Sequence, residues 1–345
     1  MLKVAFFDTK PYDKEIFESL NKQYGFEIMY FEERLNDNTV KLSEGFDVVS
    51  IFVQDKASSY VVNKLNEYGV KLIALRCAGY NNVNFQAAKD KIHVVHVPAY
   101  SPHAIAEFTI TMMLTLNRKI HKSHYRTRDL NFPLNGLLGF DMYEKTVGII
   151  GTGKIAKILI KILKGFDCNI LAYDLYPDEN YAKKMEFEYV SLDTLFKNSD
   201  IISLHCPLTK DTEYIINKHS ISLMKNNVMI VNTGRGKLIN SKDLIEALKE
   251  HKIGSAALDV YEEEDKYFYE DFSVEGVNDD ILSRLITFPN VLVTSHQAYF
   301  TKEALNNIAS TTLNSILQLS NLEPLENEIA YICDENGCII KNVQS

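Results

Sequence analysis

Short apolar runs alternate along the chain with segments whose apolar residues recur every three or four positions. The runs are rich in β-branched and aromatic residues, which is typical of buried strands, whereas the recurring spacing predicts amphipathic helices. In the first hundred residues, strands are predicted at 4–7, 48–52, 72–75 and 93–95, with helices at 14–24 and 60–68. This alternation indicates βαβ units and a parallel sheet.

A second series of the same kind follows residue 145. Strands are predicted at 147–150, 170–173, 201–204, 228–232, 256–260 and 291–294. Between the two series, Ser101 as N-cap and Pro102 at the first helical position predict a long helix to about residue 126, followed by a loop over 129–145. A last helix over 303–319 leads to a polar tail. The pattern predicts an α/β protein of two domains.

A glycine turn follows the first strand of the second series and leads into a helix over 155–165. Gly151 permits the tight turn, Gly153 lets the backbone approach a pyrophosphate, and Ala156 allows close packing of helix on strand. Asp174 ends the next strand, where its carboxylate is suited to bind the ribose hydroxyls of adenosine. That carboxylate repels a 2′-phosphate, and residues 175–178 contain no Lys or Arg. The turn therefore predicts NAD rather than NADP.

Polar side chains follow three later strands of this series. Arg235 comes after 228–232, an acidic run at 262–265 comes after 256–260, and His296 comes after 291–294. Because the carboxyl ends of parallel strands meet at the ligand-binding edge, these residues are expected beside the cofactor. A guanidinium binds a carboxylate, a His donates a proton to a carbonyl oxygen, and a nearby carboxylate favours the imidazolium. The set fits reduction of a 2-keto acid, although spacing leaves open which acidic residue takes part.

Composition narrows the classes of partner. The 345 residues include 46 acidic and 37 basic side chains, a net charge of −9, with no run of five basic residues. This charge disfavours nucleic acid and membrane surfaces as partners. No apolar run reaches the ~20 residues of a transmembrane helix, and no signal peptide is expected. Five scattered cysteines favour reduced thiols in the cytoplasm and no metal site.

Seven segments carry a resemblance to a known family. They are L-R-C-A-G-Y-N-N-V at 75–83, V-P-A-Y-S-P at 97–102, G-T-G-K-I at 151–155, L-H-C-P-L-T at 204–209, V-N-T-G-R-G at 231–236, L-D-V-Y-E-E-E at 258–264 and S-H-Q-A-Y at 295–299. In sequence and in order they resemble the D-isomer-specific 2-hydroxyacid dehydrogenases, and most closely the fermentative D-lactate dehydrogenases. The resemblance covers nearly the whole chain.

This resemblance implies a Rossmann-type NAD-binding domain over 101–299, inserted into a flavodoxin-like substrate domain formed by 1–100 and 300–345. It implies reversible hydride transfer from NADH to pyruvate, giving D-lactate. Arg235 would anchor the substrate, and His296 would act as general acid and base assisted by Glu264, which the resemblance selects from the acidic run. The long helix after Ser101 typically builds a dimer interface in such proteins, so a homodimer or higher homo-oligomer is expected.

Further site residues are implied by their positions in the family's motifs. Those for the cofactor are Gly151, Gly153, Lys154, Ile155, Asp174, Cys206, Pro207, Thr233, Gly234, Arg235 and Asp259. Those for the substrate are Ala78, Gly79, Tyr100, Arg235, His296 and Tyr299. Gly234 departs from the pattern, since relatives often carry Ser or Ala at this position.

Two alternatives remain open from the sequence. One is a related dehydrogenase for a bulkier or phosphorylated 2-keto acid, although the aromatic side chains of Tyr100 and Tyr299 favour a small substrate. The other is a catalytically silent NAD-sensing scaffold, since a fold does not fix a function. The complete set of Arg235, Glu264 and His296 favours an enzyme.

Overall fold

The structure, a computed structural model, describes residues 2–334 and 337–340. It divides the chain into two compact units, one formed by Met1–Ser101 with Phe300–Ser345 and the other by Pro102–Tyr299. Each unit contains its own parallel sheet with apolar clusters packed on it. The α/β fold class with two parallel sheets is therefore confirmed.

The first unit is built on a five-stranded parallel sheet. Its strands are β1 (Lys3–Phe6), β2 (Glu27–Tyr30), β3 (Val48–Ile51), β4 (Leu72–Leu75) and β5 (His93–Val95). The strand order β2-β1-β3-β4-β5 is the flavodoxin-like order. Every residue of β3 and β4 is buried, because both faces of a parallel sheet are covered.

Helices follow three of these strands. They are α1 (Pro11–Asn21), α2 (Ser59–Glu67) and α3 (Phe85–Ala88). Ser58 caps α2 by accepting a hydrogen bond from the backbone nitrogen of Val61, and Asn84 caps α3 through Ala87. Each cap satisfies one backbone N–H group that the first turn of the helix leaves without a partner.

The second unit is built on a seven-stranded parallel sheet. Its strands are β6 (Thr146–Ile150), β7 (Asn169–Tyr173), β8 (Glu188–Tyr189), β9 (Ile201–Leu204), β10 (Val228–Asn232), β11 (Ile253–Leu258) and β12 (Val291–Val293). The strand order is β12-β11-β10-β9-β6-β7-β8. Successive strands are added on one side of β6 as far as β8 and on its other side from β9 onwards, so the strand order reverses between β6 and β9. Ligands of such sheets bind at the carboxyl ends of the strands beside this reversal.

Eight helices of the second unit are described. They are α4 (Pro102–Arg118), α5 (Ile120–Arg128), α6 (Lys154–Lys164), α7 (Glu179–Met185), α8 (Leu192–Asn198), α9 (Lys218–Leu223), α10 (Ser241–Lys249) and α11 (Asp280–Thr287). The single helix predicted from Pro102 to about residue 126 is wrong. Lys119 has a left-handed φ of 50°, which interrupts the helix and separates α4 from α5.

The end of the chain belongs to the first unit. There α12 (Lys302–Ser320) begins after Thr301, whose hydroxyl accepts a hydrogen bond from the backbone nitrogen of Ala304. Leu313 and Ile316 of α12 are buried in the same apolar cluster as Val4. This packing ties the C-terminal helix to the N-terminal sheet.

The predicted polar tail is wrong in part, because an antiparallel hairpin follows α12. Its strands are β13 (Tyr331–Asp334) and β14 (Gly337–Ile340), whereas residues 335, 336 and 341–345 lie outside the described part. Cys333 and Cys338 pair across the hairpin and form a disulfide. The expectation of reduced thiols is therefore wrong for these two residues, while Cys77, Cys168 and Cys206 take part in no disulfide of the described residues.

Membrane-spanning helices and clusters of metal ligands are features of other classes of protein. Within 2–334 and 337–340, no helix combines the length and apolar character needed to cross a lipid bilayer. Within the same ranges, no group of three or more His, Cys, Asp or Glu side chains is arranged to hold a metal ion.

Candidate active site

The turn after β6 brings two backbone segments unusually close together. Gly151 has a φ of 89°, and a Cβ there would lie 2.5 Å from the backbone nitrogen of Cys206. Only glycine fits both constraints. The turn leads through Gly153, the N-cap, into α6, whose first residues Lys154 and Ile155 have N–H groups with no partner inside the helix. Apart from its two chain neighbours, no described residue has a heavy atom within 4 Å of a Cβ built on Gly153, so this face is open to an anion such as pyrophosphate.

Asp174 follows β7 directly and lies beside the glycine turn. Its Oδ2 accepts hydrogen bonds from the backbone nitrogen of Thr152 at 2.6 Å and from its hydroxyl at 2.9 Å. Its Oδ1 accepts one hydrogen bond, from the backbone nitrogen of Tyr176 at 2.9 Å. A carboxylate oxygen accepts two, so Oδ1 keeps capacity for a ribose hydroxyl. The turn and this carboxylate together fit a dinucleotide.

The next two strand ends carry largely uncharged groups. Cys206 and Pro207 follow β9, and burial raises the pKa of the Cys206 thiol to about 11. Burial also lowers the pKa of the neighbouring His205 to about 4, so both side chains are neutral near pH 7. Thr233 follows β10, and its hydroxyl is 2.9 Å from that of Thr109. This stretch of the edge therefore offers a neutral surface.

The turn after β10 is shaped by a buried amide. Asn232 accepts a hydrogen bond from the backbone nitrogen of Gly234 at 3.0 Å and donates one to the backbone oxygen of Arg235 at 2.9 Å. The Nη1 atom of Arg235 donates to the backbone oxygen of Gly234 at 2.8 Å. Across the described part of the chain, the other donors of this guanidinium have no hydrogen-bond partner. They are therefore available to a substrate carboxylate.

The same turn touches the segment that follows β11. A Cβ built on Gly236 would lie 2.1 Å from both the carbonyl carbon and the carbonyl oxygen of Tyr261. Glycine at 236 therefore allows the turn that carries Arg235 to approach the segment that carries Glu264. This approach explains the second glycine of T-G-R-G in physical terms.

His296 and Glu264 form a closely paired couple. The Nδ1 atom of His296 lies 2.7 Å from Oε1 of Glu264, and 20% and 19% of the two side chains are exposed. The other carboxylate oxygen, Oε2, accepts a hydrogen bond from the backbone nitrogen of Tyr261 at 2.9 Å. A carboxylate facing Nδ1 keeps the hydrogen on that nitrogen. Among the described residues Nε2 of His296 has no hydrogen-bond partner, so it is the nitrogen left for a substrate.

The neighbouring glutamates have other partners. Glu262 accepts hydrogen bonds from the backbone nitrogen of Ser241 at 2.7 Å and from the hydroxyl of Tyr214 at 2.8 Å. Glu263 pairs with Lys266 at 2.9 Å. Within the acidic run it is Glu264 that contacts the His296 ring, a distinction that spacing along the chain does not provide.

The turn that carries His296 is held by a buried carboxylate. Asp259 accepts hydrogen bonds at Oδ1 from the hydroxyl of Thr294 and the backbone nitrogen of Gln297, at 2.6 and 2.9 Å, and at Oδ2 from Ala298 at 2.9 Å. Its backbone oxygen accepts the N–H of His296 at 2.7 Å. Burial raises the pKa of Asp259, and the hydrogen bonds oppose that rise. Asp259 therefore fixes the backbone from which the His296 ring extends.

Comparison with known proteins decides the family. Residues 110–298 match the model described as the D-isomer specific 2-hydroxyacid dehydrogenase, NAD binding domain. The D-lactate dehydrogenase of Escherichia coli (strain K12) is 50% identical over 329 residues, which are 95% of this chain and 100% of that relative. The chain belongs to the D-isomer specific 2-hydroxyacid dehydrogenases.

Two solved structures add to the comparison. The pyruvate reductase of Chlamydomonas reinhardtii has a TM-score of 0.89 and 40% identity, covering 95% of this chain and 98% of that one. The D-isomer specific 2-hydroxyacid dehydrogenase of Lactobacillus delbrueckii ssp. bulgaricus, in its NAD complexed form, has a TM-score of 0.81 and 33% identity, covering 95% and 100%. As a member of this NAD-dependent family of oxidoreductases, the chain uses NAD, which the glycine turn and Asp174 fit.

The residues predicted for the substrate are divided between the units of this dehydrogenase. Ala78 and Gly79 follow β4 in the first unit, and the backbone oxygen of Ala78 accepts a hydrogen bond from Nδ1 of His96 at 2.9 Å. Tyr100 lies near the end of the first segment of the same unit, and Tyr299 is the last residue of the second unit, where it is buried.

Three residues that shape the dehydrogenase site are not among those predicted from the sequence. Asn232 shapes the Arg235 turn, Thr294 bonds to Asp259, and the hydroxyl of Tyr269 donates to the backbone oxygen of His296 at 2.8 Å. Asn232 carries a signal, because a polar residue closing a buried apolar strand at the ligand edge needs a partner. Thr294 and Tyr269 carry none, since their partners are distant in sequence.

Proposed function

We propose that the chain is an NAD-dependent D-lactate dehydrogenase that reduces pyruvate with NADH to D-lactate and catalyses the reverse reaction. The observation that carries this proposal is the couple of His296 and Glu264, which leaves Nε2 free at the strand edge that also carries the dinucleotide turn. A protonated imidazole, a guanidinium with unused donors and a nicotinamide cofactor are what reduction of a 2-keto acid requires.

In this proposal, Arg235, His296 and Glu264 each have a different role in catalysis. Arg235 binds the substrate carboxylate through its unused N–H donors. His296 donates a proton from Nε2 to the carbonyl oxygen during reduction and takes the hydroxyl proton during oxidation. Glu264 stabilises the imidazolium and keeps the ring oriented through Nδ1. NAD, when bound, supplies or accepts the hydride.

Cofactor binding is proposed for residues at the carboxyl ends of β6, β7, β9, β10 and β11. Support comes from the open face at Gly153, the spare capacity of Asp174 and the neutral surface beside Cys206. The proposed set is Gly151, Gly153, Lys154, Ile155, Asp174, Cys206, Pro207, Thr233, Gly234, Arg235 and Asp259.

The first unit is proposed as the substrate domain and the second as the NAD-binding domain. The backbone around Ala78 and Gly79 follows β4, at the carboxyl-end edge of the parallel sheet, where ligands of open α/β sheets bind. Tyr100 and Tyr299 are each proposed as substrate-binding residues, and their aromatic side chains favour pyruvate over bulkier keto acids. The names of the E. coli and Chlamydomonas relatives support the same substrate.

A substrate panel tests the function. Purified enzyme is mixed with NADH and pyruvate, phenylpyruvate or hydroxypyruvate, and oxidation of NADH is followed by absorbance. The proposal predicts the highest kcat/KM with pyruvate. A much higher value with either larger substrate contradicts the lactate assignment, and NADH binding without turnover of any 2-keto acid supports a scaffold instead.

We propose a homodimer formed through the exposed arm, residues 120–143. Eight of the 18 exposed large apolar side chains among the described residues lie in it: Ile120, Tyr125, Leu130, Phe132, Leu134, Leu138, Phe140 and Tyr143. Arg126 donates hydrogen bonds to the backbone oxygens of Asn135 and Pro133 at 2.8 and 2.6 Å, which gives the arm a defined shape. An apolar surface of this extent is typical of an interface.

Light scattering after size-exclusion chromatography tests the dimer. The double variant Leu134→Ser/Leu138→Ser is expected to have the mass of one chain. Leu322→Ser, which changes a side chain 92% exposed outside the arm, is the matched control and is expected to stay dimeric. A dimer in both variants contradicts the arm as interface.

A cytoplasmic location is also proposed. Cys168 and Cys206 lie outside the described disulfide, which supports a reducing compartment even though the C-terminal hairpin carries that disulfide. Cell fractionation tests this location: activity in the cytoplasmic fraction is expected, and activity confined to an exported fraction contradicts it.

A further inference from the structure

The backbone of His296 adopts a conformation that side-chain-bearing residues rarely take. Its φ is 51°, in the left-handed region. Such a conformation persists only where the surroundings hold it. Here the N–H of His296 donates to the backbone oxygen of Asp259 at 2.7 Å, and its carbonyl oxygen accepts the hydroxyl of Tyr269 at 2.8 Å. The side-chain hydroxyl of Tyr269 therefore joins Asp259 in holding the backbone of this residue.

Tyr269 is well placed for this contact. It follows the short 3₁₀ helix Glu264–Lys266 and has a left-handed φ of 69°. Its ring is partly buried against the apolar cluster that contains Tyr261 and Phe268. A ring packed in this way has few alternative positions, which keeps its hydroxyl directed towards the backbone oxygen of His296.

A single segment thus holds His296 at two points. Glu264 binds the ring at Nδ1, and Tyr269 binds the backbone carbonyl of the same residue. The segment is anchored where it begins, because the hydroxyl of Tyr261 donates to Asp279 at 3.0 Å. The ring and its backbone are therefore oriented against the same loop.

We propose that Tyr269 is a positioning residue for His296. Its hydroxyl fixes the peptide from which the imidazole extends, so that Nδ1 meets Glu264 while Nε2 remains directed at the substrate. This role rests on the proposed function, in which His296 transfers the proton. Tyr269 itself does not touch the reacting atoms.

Replacement of Tyr269 by Phe tests this role, because it removes the hydroxyl and keeps the ring. The rate of pyruvate reduction is measured per NADH-binding site, with the number of sites counted by fluorescence titration. Loss of one hydrogen bond predicts a fall in kcat of about 3- to 10-fold. The KM for pyruvate is expected to change less than about twofold, because Arg235 keeps its contacts.

The matched control is Tyr267→Phe. The hydroxyl of Tyr267 donates to the backbone oxygen of Asn278 at 2.8 Å, which is a bond of the same kind in the same loop. This variant removes a hydroxyl without touching His296, so kcat and KM are expected to stay unchanged. An equal fall in kcat in both variants overturns the positioning role.

A spectroscopic readout separates this proposal from the proposed function. The hydrogen shared by Nδ1 of His296 and Glu264 is expected as a low-field proton resonance, identified by its loss in His296→Ala. It should exchange with water faster in Tyr269→Phe and at the unmodified rate in Tyr267→Phe. An unchanged exchange rate in Tyr269→Phe overturns the proposal, whatever the kinetics show. If the unmodified enzyme turns over no 2-keto acid, the proposed function fails and this resonance alone decides the role of Tyr269.

Discussion

Replacing Gly236 with alanine puts a methyl group where two backbones touch. The added Cβ would lie 2.1 Å from the carbonyl carbon and oxygen of Tyr261 and 2.5 Å from the backbone nitrogen of Glu262. Ordinary contact begins at 3.4 Å, so the two segments must separate by about 1.3 Å. All three contacts are to backbone, which cannot turn away as a side chain does.

The cost follows from this separation. Overpacking costs about 1–3 kcal/mol, and contacts made only to backbone favour the upper end of that range. For a unit of this size, about 3 kcal/mol corresponds to a Tm lower by roughly 6–12 °C. The displacement also separates Arg235 from the segment of Glu264, and a misplacement of about 1 Å costs roughly 100-fold in rate.

Gly234→Ala is the matched control for stability. A Cβ at this position meets its nearest atoms at 3.5 Å, and its φ is not in the left-handed region. The variant is expected to be more stable by about 0.4–1 kcal/mol, because alanine restricts the unfolded chain. A small side chain at this position is therefore sterically compatible with this turn.

Calorimetry and steady-state kinetics measure both effects. Tm is determined for each alanine variant, and kcat/KM for pyruvate is measured at a temperature where NADH binding shows that the variant is folded. A Gly236→Ala variant with an unchanged Tm and an unchanged kcat/KM would refute the close approach of these two segments and the reason given for the second glycine.

The remaining predictions concern the three polar side chains of the site. Glu264→Gln replaces the carboxylate that holds the His296 ring through Nδ1 with a neutral amide, so kcat for pyruvate reduction should fall while NADH affinity is kept, and an unchanged kcat contradicts the pairing. His296→Ala should lower kcat by roughly 10²- to 10⁴-fold with NADH affinity nearly intact in a fluorescence titration, and a comparable loss of affinity would point to misfolding instead. Arg235→Lys should raise the KM for pyruvate by roughly tenfold or more, because the two-pronged hydrogen bond is lost, and an unchanged KM contradicts carboxylate binding by Arg235.

Strands buried on both faces are the elements that the sequence predicts best. The runs at 72–75, 201–204 and 228–232 coincide with β4, β9 and β10, because continuous burial leaves a continuous apolar run. Strand β2 is not predicted, because its residues alternate between exposed and half-buried at the edge of the sheet and form no buried apolar run. The interruption between α4 and α5 at Lys119 is not predicted either. Because α5 has no buried residue, no apolar pattern marks where it begins.

The site residues likewise differ in how far the sequence predicts them. The sequence predicts Gly151, Gly153 and Asp174 as cofactor-binding residues, because one strand–turn–helix unit and the strand after it set their spacing along the chain. The contacts of Asp259 and Tyr269 with the His296 turn join residues 37 and 27 positions apart. Such contacts depend on which atoms face each other after folding, and no periodicity records them.

The most direct test is chiral analysis of the product made from pyruvate and NADH. We expect NADH oxidation to be matched mole for mole by D-lactate, and both to be lost in the His296→Ala variant. Formation of L-lactate, or unchanged formation of D-lactate by His296→Ala, would contradict it.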